Sequence, residues 1–238
     1  MAKKTFLWIE DRKGKASYIF WKTMMNCLFP EVVVEGKKNN SELAKAVKSI
    51  EDNENTYIIV YDNSFDNAQI YREQKLINRY ADEKSNVQLM NIICFEYVLL
   101  EFKYFIEWIY APDDDLLKKR ESAVIAREKL IAALESGDIN YKMIQEIINY
   151  EDNLETHNIE KLSAKLLFDL TRNTGFEVTK GRIGTCWITS CCEWNERQNN
   201  DICGLDFNRL SDIEKMRRIY EGTSLKKELS NVGLEVLV

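Results

Sequence analysis

Thr56-Tyr-Ile-Ile-Val-Tyr-Asp-Asn-Ser-Phe-Asp-Asn67 holds a short apolar run, Tyr57 to Tyr61, of the β-branched and aromatic residues that strands favour. Two acids, Asp62 and Asp66, lie just past its end. In open α/β sheets ligands and metals collect at the carboxyl ends of the strands, so this stretch predicts both a strand and the edge at which chemistry would sit. Working outward, Thr5 to Ile9 predicts a buried strand ending at Glu10-Asp11, and Gly14 breaks the chain before a helix from Ala16 to Leu28. That helix has Ile19, Phe20, Met24, Cys27 and Leu28 at three- and four-residue spacing and is stopped by Pro30. Val32-Val33-Val34 predicts a second strand, closed by Gly36. Asn39, Asn40 and Ser41 are candidate caps for a helix carrying Leu43, Val47 and Ile50, and a polar turn, residues 51–55, leads back into the opening strand. Strand and helix alternate, which predicts a parallel sheet with right-handed crossovers. A helix from about Ala68 to Tyr80 and a strand from Val87 to Ile93 extend it.

After Cys94 the pattern changes. Phe95 to Trp108 is aromatic and apolar nearly all round, as in one helix buried between layers. Three further helices are expected, one with Leu116, Val124, Leu130, Ile131 and Leu134, one with Ile139, Met143, Ile144, Ile147 and Ile148, and one with Ile159, Leu162, Leu166, Leu167 and Leu170. Ser211-Asp-Ile-Glu214 is a capping-box signature ahead of Met216, Ile219 and Tyr220, and Leu225, Leu229 and Val232 predict a last short helix. The expected fold class is α/β, with an α/β domain over 1–110 and, over 111–238, a mostly helical region with a C-terminal cysteine segment, either separate from the first domain or packed with it as one unit.

The chain has 238 residues, 45% of them hydrophobic, enough for a proper core and against disorder. With no apolar run of bilayer length and no leader-like start, a cytoplasmic chain without a membrane partner is expected, its six cysteines reduced. A net charge of −6 argues against a nucleic-acid binder that uses its whole surface. Local basic patches remain for nucleic acid at Lys118-Lys119-Arg120, Lys180 with Arg182, and Arg217-Arg218; such runs are also ordinary solvated helix faces. There is neither a P-loop nor a G-x-G-x-x-G motif.

Three acids carry the candidate chemistry. Glu10 follows the first strand and Asp62 and Asp66 the third, so a parallel sheet brings all three to one edge. Hard carboxylates gathered there suit Mg²⁺ or Mn²⁺, and such an ion can orient and polarise a phosphodiester. The competing explanation is that acids after strands cap the next helix or face solvent. Cys186, Cys191, Cys192 and Cys203 form a second candidate, a structural Zn²⁺ site. Their spacing is not that of paired C-x-x-C ligands, and Trp187, Ile188 and Trp194 interleave with them, so apolar packing or a redox role stands beside zinc. His157, the single histidine, lies in a polar turn without a catalytic motif and is expected at the surface.

In Phe6-Leu-Trp-Ile-Glu10, the helix after it, Val32-Val-Val34, the second helix and a third strand ending in aspartates, the chain resembles the Toprim family. That family is the metal-binding α/β domain of topoisomerases, primases and the OLD-type and related nucleases of phage defence. Ile93-Cys-Phe-Glu-Tyr-Val-Leu-Leu100 also looks like the acid-bearing apolar helix that follows the sheet in defence-associated relatives. The resemblance spans about residues 5–100. It implies a metal-dependent nuclease, an effector of bacterial anti-phage defence, cleaving nucleic acid with Mg²⁺ or Mn²⁺ held by Glu10, Asp62 and Asp66. The chain departs from the family at Asp11, where glycine is usual, and at Ser64, where D-x-D has its second acid. The alternative is a catalytically inactive Toprim-like or receiver-like interaction module that binds a partner protein such as an ATPase. An acidic pair after strand one and an aspartate after strand three are similar to a receiver domain, but strand four ends Ile92-Ile-Cys94-Phe without the Ser or Thr that pattern requires.

Overall fold

A four-stranded parallel sheet in the order β2-β1-β3-β4 is built from β1 (Thr5–Ile9), β2 (Val32–Gly36), β3 (Thr56–Asp62) and β4 (Val87–Ile92). The computed structural model describes residues 3–63, 68–110, 114–137, 159–171 and 210–236. Register is continuous: Ile9 stands beside Gly36 on one side and Val60 on the other, and Asp62 stands beside Ile92. The central strand β3 is buried from Tyr57 to Asp62, which is why it reads as an unbroken apolar run rather than an alternating one.

Helices α1 (Ala16–Leu28), α2 (Asn40–Lys48) and α3 (Ala68–Asp82) make the crossovers. Alternate residues of the strands face two cores. Leu7, Ile9, Ile58 and Val60 join the larger, with Phe20, Trp21 and Met24 of α1. Trp8, Tyr57, Ile59 and Tyr61 join the smaller, with Leu43 and Val47 of α2 and Ile77 of α3. Asn39 caps α2, its Oδ1 accepting the Glu42 N–H at 2.9 Å.

The second half of the chain joins the larger core. Its described helices are α4 (Phe95–Glu101), α5 (Phe105–Tyr110), α6 (Asp114–Lys119), α7 (Glu121–Ser136), α8 (Ile159–Thr171), α9 (Asp212–Glu221) and α10 (Leu225–Asn231). Leu130 of α7, Leu166 of α8, Ile219 of α9 and Leu229 of α10 are all fully buried in it. The expected capping box is formed, with the Ser211 N–H donating to Glu214 Oε2 at 2.9 Å and the Glu214 N–H to Ser211 Oγ at 3.4 Å.

Two expected helices are each broken in two. Phe95 to Trp108 is not one helix: α4 stops at Glu101 and α5 begins at Phe105. No glycine or proline marks the break, because distant residues hold it. Arg127 of α7 donates Nε to the Leu100 carbonyl at 2.6 Å and Nη2 to the Phe102 carbonyl at 3.0 Å, satisfying acceptors that a continuing helix would have used. Lys103 N–H donates to the Gly222 carbonyl at 3.2 Å, and Glu101 accepts from the Ser224 N–H at 2.8 Å. The helix expected through Leu116 and Val124 is likewise divided at Arg120 into α6 and α7. The expected helix through Ile139 to Ile148 lies outside the described residues, as do His157 and the four cysteines of the candidate zinc site.

Candidate functional site

The chain runs from β1 outward to β2, then returns across β1 to β3 and continues to β4. Direction therefore reverses between β1 and β3, and loops leaving the two strands diverge, opening a crevice beyond their carboxyl ends. Glu10 and Asp62 are the residues placed there. They line a cavity of about 220 Å³ together with Asp11, Lys15, Ser17, Glu96 and Glu160, over an apolar floor that includes Ile9, Val60, Ile92, Trp21 and Phe95.

Each acid is positioned by backbone. Asp62 closes β3, where the Asn63 N–H donates to the Ile92 carbonyl at 2.6 Å. The buried Gln74 of α3 donates its side-chain amide to the Asp62 carbonyl, so the strand end is held from both sides. Glu96 lies in the first turn of α4 and Glu160 in the first turn of α8, positions where the helix dipole favours a carboxylate. Asp11 accepts a hydrogen bond from Ser17 Oγ, which ties the β1–α1 loop to the first turn of α1. Its backbone carbonyl lies against Gly36, 2.0 Å from where a Cβ would be, so β2 can close only with glycine.

Electrostatically the site is under stress. Burial, then repulsion from Glu10, Glu96 and Glu160, raises the Asp62 carboxyl well above the usual carboxylate range. Burial and the charges of Asp11 and Glu160 raise Glu10 to about 7. Glu10 accepts a hydrogen bond from the Asp62 carboxyl, a contact that partly offsets the cost to Glu10. Two acids this close share protons as a pair.

The structure thus brings Glu10 and Asp62 together, whereas Asp66 lies outside the described residues. It adds Glu96 and Glu160, which the sequence pattern left unassigned. The signal for Glu96 was present, an acid opening an apolar helix straight after a strand. Nothing local marks Glu160, whose place depends on α8 packing against α4 from far along the chain. Among the described residues, no three His, Cys, Asp or Glu side chains converge closely enough, as they stand, to hold a metal ion. Cys27 and Cys94 are free thiols, Cys94 buried and with its pKa raised well above the ordinary thiol value by that burial. No described helix is long and apolar enough to cross a membrane. No family model, curated protein or solved structure matches the chain.

Proposed function

We propose that the acid-lined cavity is a metal-dependent phosphodiester-cleaving centre in a Toprim-like domain, and that the chain is a nucleic-acid-cleaving effector of the kind found in anti-phage defence. The observation that carries this is the pairing of Glu10 with Asp62 at the switch point of a parallel sheet, with Glu96 and Glu160 around the same cavity. The donor set is entirely oxygen, which suits Mg²⁺ or Mn²⁺, and Glu10 and Asp62 are the residues that would hold the ion. When bound, the ion would polarise a phosphoryl oxygen and neutralise charge that develops on it. Binding it requires the proton shared by Glu10 and Asp62 to leave. Lys15, on the cavity wall, offers a positive charge to the phosphate that the acids would otherwise repel. Purified protein is expected to cleave nucleic acid with Mn²⁺ or Mg²⁺, and Glu10→Ala to reduce the rate by about a thousandfold or more. Absence of metal-dependent cleavage, or cleavage unchanged by Glu10→Ala, would refute the assignment.

One observation favours the interaction-module alternative: the Asp62 and Glu10 carboxyls hydrogen-bond to each other. On that reading the cavity is inert and the chain binds a partner protein such as an ATPase. A stable complex with such a partner, together with a wild-type phenotype for Asp62→Ala, would decide for it.

A further inference from the structure

The acids of the cavity are bordered by the cations of two short basic stretches, Arg12-Lys13-Gly-Lys15 and Lys37-Lys38. The β1–α1 loop carries Arg12, Lys13 and Lys15, and the β2–α2 loop carries Lys37 and Lys38. The two loops are neighbours: the Lys37 N–H donates to the Ile9 carbonyl at 2.8 Å, and Gly36 is pressed against the Asp11 carbonyl. Five positive charges therefore share the carboxyl edge of β1 and β2, in a chain whose net charge is −6.

They are not neutralised locally. Lys37 is committed, 2.7 Å from Glu35 and 3.6 Å over the Trp8 ring. Arg12, Lys13, Lys15 and Lys38 are exposed and make no ion pair among the described residues. The nearby acids are otherwise engaged, Asp11 by Ser17 and Glu42 by Lys45 at 2.7 Å, with Lys38 a lesser influence on Glu42.

Lys38 supplies an independent sign of use. Its φ is 84°, the only positive value at a non-glycine among the described residues. Glycine or asparagine would take that conformation at less cost, and local strain of this kind clusters at functional positions. Lysine at 38 therefore holds its charge against the preference of its own backbone.

We propose that Arg12, Lys13, Lys15 and Lys38 form the rim on which a nucleic-acid strand lies, its phosphates crossing from the β2–α2 loop over the β1–α1 loop so that one of them reaches the cavity. This rests on the phosphodiester-cleaving assignment and names its substrate-binding residues. The rim binds backbone phosphate, so it discriminates little between sequences. It also explains how a net-acidic chain approaches a polyanion: the favourable field is confined to one edge.

The test is fluorescence anisotropy of a labelled oligonucleotide with the full chain, in EDTA so that no cleavage intervenes. The triple variant R12E/K13E/K38E is expected to raise Kd at least tenfold and to flatten the dependence of log Kd on log salt by about 2 to 3, the slope of three lost phosphate contacts. K118E/K119E, on α6, which packs against α5 and α7, is expected to bind within about twofold of wild type. Lys38→Gly guards against a folding artefact, because it relieves the backbone. It should raise the melting temperature by about 2 °C and still weaken binding about threefold. Equal binding by wild type and both rim variants, or no binding by wild type, would overturn the rim. If wild type binds through the rim but never cleaves with Mn²⁺, the rim stands and the nuclease assignment falls. If it cleaves while the rim variants bind undiminished, the reverse holds.

Discussion

Arg127 and Asp62 are ionisable groups buried to the same degree, 8% and 9% exposed, and the protein treats them in opposite ways. Arg127 is given partners suited to its charge, the carbonyls of Leu100 and Phe102 at the end of α4. Asp62 is placed among other acids, so that burial and like charge both press against its ionisation. A fold that needs only stability has no use for the second arrangement. Buried carboxyls kept together against their own repulsion are what a cation or a proton-transfer step requires. The helical layer gives its buried charge partners that hold the chain in place, whereas the sheet edge sets its buried acids against one another.

The largest effect is expected at Arg127. Arg127→Met keeps the apolar stem and much of the volume but leaves two buried carbonyls without a donor, and is expected to cost about 3–4 kcal/mol in urea unfolding. A loss under about 1 kcal/mol would mean that the α4–α5 break does not depend on this residue.

The pH dependence of stability probes the other side and is expected to be slightly smaller. Glu10 and Asp62 have folded-state pKa values raised above their unfolded ones, so the folded protein holds extra protons between the two. Their contribution is then fully present below about pH 4 and is lost as pH rises through about 7, the value to which Glu10 is raised. From the Glu10 shift alone, about 2–3 kcal/mol should disappear between pH 5 and pH 8. Glu10→Gln should flatten that profile. A profile that instead rises across this range would show that the pair is not under strain.

How much of this could be read from the chain follows from how local each signal is. The apolar run into Asp62, the spacing of Phe20 and Met24, and Gly36 before Asn39 all act within a few residues, and the sheet with its first three helices forms where they indicate. The meeting of Glu10 with Asp62 was legible for the same reason, since strand polarity and alternation put both at one edge. The break after Glu101 was not, because Arg127, Gly222 and Ser224 impose it from far along the chain. Glu160 was hidden likewise by the long-range packing of α8 on α4. The cationic rim was missed because Lys15 and Lys38 belong to different loops, and only the β1–β2 pairing brings those loops together.

The central claim, that the carboxyls at the switch point are held together for a cation, is tested most directly by the melting temperature of wild type and Asp62→Asn at pH 8, each with and without Mn²⁺. Mn²⁺ is expected to raise the wild-type melting temperature by several degrees, the stabilisation of a ligand bound only by the folded state, and to leave Asp62→Asn unmoved. In its absence Asp62→Asn should be at least as stable as wild type, since it removes an acid from a cluster of acids. An equal Mn²⁺ response in both proteins, or none in wild type, would contradict the account.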